Sequence, residues 1–127
     1  MLLLQAISNP KVRFESQFPK RIGARGYCMD APLIVVNFKT YSSAMAGSAD
    51  KLGQLMADVE TDARMVAVAS AFDLSSVSSI SGLEVWSQHL DPVGQGSHTG
   101  WLEPQTAIER GAAGTIINHA EHKVSLE

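Results

Sequence analysis

Four short apolar runs punctuate residues 33–117, and helix-patterned or glycine-rich stretches separate them. Leu33-Ile34-Val35-Val36 is continuous rather than alternating, the pattern of a strand covered on both faces in a parallel sheet. Met65-Val66-Ala67-Val68-Ala69, Leu83-Glu84-Val85-Trp86-Ser87 and Gly114-Thr115-Ile116-Ile117 read as three further strands. Between the first two strands, Leu52, Leu55, Met56 and Val59 recur at i, i+3, i+4, i+7. That spacing predicts a helix over 47–60 with these residues as its buried stripe. Ser48 is its expected N-cap, and Asp50 suits the positive end of the helix dipole. Asp73 opens a shorter helical piece, Leu74 to Ile80, which the Ser81-Gly82 turn stops. A loop rich in Gly, Pro and His covers about 89–102. Glu103-Pro104 then starts a third helix with proline at its first position, and Gly111 closes it.

The order is β-α-β-α-β-α-β, with connections too long for hairpins, so right-handed crossovers and a parallel sheet are expected. Two α/β architectures fit. A doubly wound sheet lacks its signature here, because Asn37-Phe38-Lys39 follows the first strand where a glycine-rich turn belongs. A (β/α)8 barrel takes roughly 250 residues, and this chain supplies four of its eight units. Such a partial barrel would leave two open sheet edges and an uncovered apolar face, both aggregation liabilities.

Composition narrows the class further. At 127 residues, 45% apolar and 18% charged, the chain reads as one ordinary globular domain rather than a disordered one. No apolar stretch approaches the length of a membrane span. Cys28 is the single cysteine, which excludes an internal disulfide framework and reads as a passive thiol. The first thirty residues carry a net +3 and the remainder −6, within a formal total of −3. The basic groups Lys11, Arg13, Lys20, Arg21 and Arg25 are scattered, with only Phe14, Phe18 and Tyr27 for stacking. A nucleic-acid arm is therefore not expected. Met1-Leu2-Leu3-Leu4 lacks the preceding positive region of a signal peptide. A chain beginning at Met29 would enter its first strand at once. Residues 1–28 are thus expected to be upstream sequence or a disordered extension, and 29–127 the domain.

The chemistry-bearing residues cluster at the C-terminal ends of the first and fourth runs, where parallel α/β folds build their sites. Asn37 and Lys39 are two apart, so on a strand both would face one way. Lys39 offers a compact positive charge for a phosphate or a developing enolate oxygen; equally, it could snorkel to solvent. His119, after Asn118, can donate to a carbonyl and later return a proton, or serve as a structural histidine. Glu121 could orient its neighbours. His119 and His122 give an H-x-x-H spacing, with His89 and His98 upstream, which invites a zinc reading. No cysteine or third carboxylate stands at ligand-like spacing, and no metal is expected. Gly94-Gln95-Gly96-Ser97-His98-Thr99-Gly100 could cradle a phosphate or make a subunit contact, but it is not a nucleotide P-loop.

Five motifs stand in family order: Asn37-Phe38-Lys39-Thr40-Tyr41; Val66-Ala67-Val68-Ala69; Gln88-His89-Leu90-Asp91-Pro92-Val93; Gly96-Ser97-His98-Thr99-Gly100; and Gly114-Thr115-Ile116-Ile117-Asn118-His119-Ala120-Glu121-His122. Together they resemble the N-terminal half of triose-phosphate isomerase in its shorter archaeal form, over residues 32 to about 126. The resemblance implies a (β/α)8 barrel of which only the first four βα units are present. It implies interconversion of glyceraldehyde 3-phosphate and dihydroxyacetone phosphate through an enediolate, without cofactor, in the cytoplasm as part of glycolysis and gluconeogenesis. Asn37 and Lys39 match the substrate-binding pair, with Lys39 stabilising the enediolate. His119 matches the electrophile and Glu121 the carboxylate that organises it. Ser97, His98 and Thr99 match a loop that packs on a partner subunit, so a homo-oligomer is expected for the full-length enzyme. The family's glutamate base and phosphate-gripping loops follow later strands, and Glu127 does not match the base. The chain alone is therefore expected to be inactive. The alternative is a non-catalytic half-barrel that binds a phosphorylated ligand or a partner chain.

Overall fold

The computed structural model describes residues 31–125. The expected extension 1–28 and Glu127 lie outside the described residues. The elements run β1 (Leu33–Asn37), a 3-10 turn (Ser42–Ala44), α1 (Gly47–Ala57), β2 (Arg64–Ala69), α2 (Leu74–Ser78), β3 (Glu84–Ser87), α3 (Pro104–Glu109) and β4 (Gly114–Thr115). All neighbouring strands pair in parallel, in the sheet order β1-β2-β3-β4. A doubly wound sheet reverses its strand order at a switch point; this one runs straight through, as a barrel wall does. No helix among the described residues is long and apolar enough to cross a membrane.

The continuous-run rule holds for β2, whose Val66, Ala67, Val68 and Ala69 are fully buried. It fails for β1. Leu33, Ile34 and Val35 are 38–43% exposed. The reason is position: β1 pairs with β2 alone among the described strands, so its run meets the open edge expected of a partial barrel. β4 is also shorter than its apolar run. The ladder closes at Thr115, with one more bond from Ile116 N to Ser87 O at 3.1 Å.

The packed face of α1 differs from the expected stripe. Ala49, Gly53, Met56 and Ala57 are buried and Leu52 is half-buried, whereas Leu55 is 67% and Val59 48% exposed. Close packing explains the shift. A Cβ at Gly53 would lie 2.7 Å from Ile80 Cδ1, so small residues mark this face rather than large ones. Ser48 is not the N-cap either; Ala46 is, at φ +51° with no side-chain cap. Buried Asp73, from another loop, instead holds the N-cap residue by its own N–H. Its Oδ1 accepts from Ala46 N at 3.0 Å, and its Oδ2 accepts from Ser70 Oγ at 2.8 Å. The β1–α1 and β2–α2 loops are thereby tied together on the C-terminal side of the sheet.

α3 starts as its sequence predicts. Pro104 follows the N-cap Glu103, whose carboxylate accepts from Gln105 N at 2.8 Å and Thr106 N at 2.7 Å. Gly111 ends the turn at φ +94°, in the left-handed region that glycine enters without steric cost.

Candidate active site

Four loops meet above the C-terminal ends of the strands, and those after β1, β3 and β4 are each shaped by a local device. Phe38, 2% exposed, anchors the end of β1 in the core. Lys39 then turns into the left-handed region at φ +51°. For a lysine this costs about 1 kcal/mol or more. Hydrogen bonds offset it: Lys39 N donates to Asn37 Oδ1 at 2.9 Å, and Gln88 Nε2 donates to Lys39 O at 2.8 Å. Strand alternation therefore does not bring Asn37 and Lys39 together, because the strand has ended; an Asx-type turn does.

After β4 the chain again turns through a left-handed residue, Asn118 at φ +59°, a residue type that tolerates this region. Asn118 Oδ1 accepts from Val124 N at 3.3 Å, and His119 O accepts from His122 N at 2.9 Å. Glu121 N donates to His119 Nδ1 at 3.2 Å. Nδ1 is thus an acceptor, and the hydrogen-bond network assigns the neutral ring's proton to Nε2.

Glu121 joins the two ends of the sheet. Its Oε1 lies 2.9 Å from Lys39 Nζ, and its Oε2 lies 3.6 Å from His119 Nδ1. The hydrogen bond from Lys39 holds the Glu121 carboxyl below the usual carboxylate range, and the same bond raises Lys39 above its ordinary value. The loop after β3 brings Asp91, whose Oδ2 accepts from Leu102 N at 2.6 Å and whose Oδ1 lies 3.2 Å from His89 Nε2. The Leu102 N–H holds the Asp91 carboxyl low as well. Asn37, Lys39, Gln88, Thr99, His119 and Glu121 all line one open cavity of about 1100 Å³, with Tyr41, Phe72 and Trp101 at its apolar parts.

A protein-family model for triosephosphate isomerase matches residues 32–127. The chain is 38% identical over 99 residues to the triosephosphate isomerase of Methanothermobacter thermautotrophicus, covering 76% of this chain and 43% of that one. It is 37% identical over 100 residues to that of Methanothermus fervidus and 34% identical over 100 residues to that of Methanoculleus marisnigri. Each match covers 77% of this chain and 45% of the relative. The chain belongs to the triosephosphate isomerase family. It spans a little under half the length of the curated relatives it matches.

Within that family frame the four strands are a segment of the barrel wall, and the cavity sits on the face where barrel enzymes carry their sites. Of the sequence-predicted residues, the structure brings Asn37, Lys39, Thr99, His119 and Glu121 to the cavity wall. Ser97 and His98 do not line it; they are exposed beside it, and the His98 ring stands edge-on to Trp101 at 6.4 Å. The H-x-x-H spacing does not converge on a point, since His122 stacks on His89. Among the described residues no group of three or more His, Cys, Asp or Glu is placed to hold a metal ion. Sequence reasoning assigned no role to Gln88, His89, Asp91 or His122. The available signal for the first three was the Gln88-His89-Leu90-Asp91 motif directly after β3, and for His122 its place in the segment after β4.

The Lys39–Glu121 contact carries a pH prediction. Glu121 has a lowered folded-state pKa, so its share of the contact is complete above its ordinary range and is lost as pH falls through the lowered value. Lys39 has a raised one, so its share is complete below its ordinary range and is lost as pH rises through the raised value. Side-chain NMR of Glu121 Cδ and Lys39 Nζ should therefore show the pair intact across the whole neutral range. A Glu121 carboxyl that titrates at or above its ordinary value contradicts the contact.

Proposed function

We propose that this chain supplies the first four βα units, and part of the active site, of an enzyme that interconverts glyceraldehyde 3-phosphate and dihydroxyacetone phosphate. The carrying observation is the placement of an ammonium (Lys39) and a histidine whose Nδ1 accepts from Glu121 N (His119) on one cavity wall. The proposed reaction removes a proton from carbon next to a carbonyl, so negative charge gathers on the carbonyl oxygen. A fixed cation and a fixed N–H donor stabilise that charge more than they stabilise the neutral carbonyl. His119 would then pass its proton to one enediolate oxygen and recover it from the other. Substrate and product are isomers, so the step needs neither oxidant nor reductant. Triosephosphate isomerase is itself the standard case of a neutral histidine electrophile paired with a glutamate base.

The carbon base is a separate matter. The carboxylates lining the cavity are Asp91 and Glu121, and each is held below its ordinary range by a hydrogen bond. A useful base has a pKa near the working pH, so both are poor candidates. The base is proposed to come from the barrel's later strands, as the family resemblance implies. The same family grounds carry the proposals of a homo-oligomer and a cytoplasmic location. They also leave a second reading, a non-catalytic half-barrel that binds a phosphorylated ligand or a partner chain, which the lowered carboxyls lining the cavity among the described residues favour.

The test is a titration of the chain with a phosphorylated hydroxamate that imitates the enediolate, followed by NMR. Lys39 Nζ and the His119 ring nitrogens should shift together and saturate. Signals that stay unmoved while the hydroxamate is in large excess would count against the reading.

A further inference from the structure

One contact in the cavity wall has no use in the proposed reaction. The rings of His89 and His122 stack with centroids 4.0 Å apart and planes 18° apart. His89, just past β3, is 8% exposed, whereas His122 is exposed. The buried partner is fixed from its own side. Its Nε2 lies 3.2 Å from Asp91 Oδ1, while Asp91 exchanges two hydrogen bonds with Leu102, N to O at 2.9 Å and Oδ2 from N at 2.6 Å. Those bonds close the neck of the 91–102 loop and give the His89 ring a rigid base.

The exposed partner belongs to the turn that carries His119. His122 N donates to His119 O at 2.9 Å, and Glu121 N donates to His119 Nδ1 at 3.2 Å. This turn is held toward β1 by the Lys39–Glu121 ion pair and toward β3 by the ring stack. The two tethers respond differently to an anion in the cavity. An incoming phosphate or enediolate competes with Glu121 for Lys39 and so loosens the first tether. Ring stacking is indifferent to that competition.

We infer that the His89–His122 stack is a positioning contact that keeps the His119–Glu121 turn seated when an anion draws Lys39 away from Glu121. The inference rests on the isomerase reading for its anion, but the geometry it claims exists without ligand. Neither His89 nor His122 is assigned a contact with the reacting atoms. Both act through His119, as supporting side chains hold a reactive group within the narrow tolerance its chemistry needs.

The test compares His122→Ala with His122→Phe in the 127-residue chain, because His122 is exposed and its replacement spares the core. Without ligand, the Glu121 amide, protected by its bond to His119 Nδ1, should exchange about 2- to 10-fold faster in His122→Ala. The His119 ring nitrogens should lose their acceptor-type shift, and His122→Phe, which restores a stacking ring, should recover both. A purely structural stack would lower the thermal midpoint and leave the His119 ring signals alone. Unchanged Glu121 exchange and His119 shifts in His122→Ala would overturn the inference. Adding the phosphorylated hydroxamate separates the two claims. Failure of the unmutated chain to bind it counts against the isomerase reading, while the ligand-free comparison still decides the stack. If it binds, the alanine variant should show the larger His119 disturbance on binding, and equal disturbance in both overturns the positioning role.

Discussion

Replacing His119 by glutamine should lower kcat by about 10²–10⁴-fold in an assembly that supplies the remaining strands. A suitable assembly is a chimaera joining residues 29–127 to the remaining C-terminal portion of the Methanothermobacter thermautotrophicus relative. Glutamine keeps an N–H donor near the place of Nε2 but has no proton that it can give and recover at neutral pH. The imidazole can do both, because Glu121 N occupies Nδ1 and leaves the proton on Nε2. The loss should therefore fall on kcat more than on KM, since the proton moves only after the substrate is bound. Steady-state kinetics on the folded variant check this. A His119→Gln chimaera with nearly full kcat would remove His119 from the chemistry.

Lys39→Met should reduce kcat/KM by about 10²–10³-fold in the same chimaera. Methionine keeps much of the side chain's length and apolar stem while deleting the charge, so packing is largely spared. In the proposed reaction the deleted charge would serve the substrate's anionic group and the oxygen on which charge develops, so both binding and turnover should suffer. An independent signature exists in the chain itself. The hydrogen bond from Lys39 is the first cause of the lowered Glu121 carboxyl, so Glu121 should titrate higher in Lys39→Met. Unchanged Glu121 titration would mean that the 2.9 Å pair does not form in solution.

The sequence showed the parallel βα alternation because its apolar runs are compact and its helix starts carry ordinary signals, Glu103-Pro104 above all. It misread α1 because hydrophobic periodicity weights large residues. The packed face is built on Ala49, Gly53 and Ala57, with Leu55 and Val59 turned outward. It overestimated the cover on β1 because a continuous apolar run cannot reveal whether a neighbouring strand is present. At the site, residue types and positions were legible, but the way they meet was not. Asn37 and Lys39 share the cavity through a left-handed lysine and an Asx-type turn, neither of which residue identity announces. The roles of Gln88, Asp91 and the stacked histidines depend on contacts between loops distant in sequence, such as the 49 residues separating Gln88 from Lys39. No local pattern encodes such a contact.

The central proposal is that the loops after β1 and β4 form one side of a triose-phosphate isomerase site in which no carboxylate lining the cavity among the described residues suits the carbon base. Turnover of glyceraldehyde 3-phosphate tests it most directly, measured in parallel for the 127-residue chain and for the chimaera. The prediction is no rate above buffer for the chain alone and clear turnover for the chimaera, whose added strands would supply the glutamate base that the family resemblance implies. A chimaera that folds, by circular dichroism and a dispersed NMR spectrum, yet leaves the substrate unconverted would contradict the account. Near-normal turnover by the chain alone would contradict it equally, since a base would then have to lie within these 127 residues.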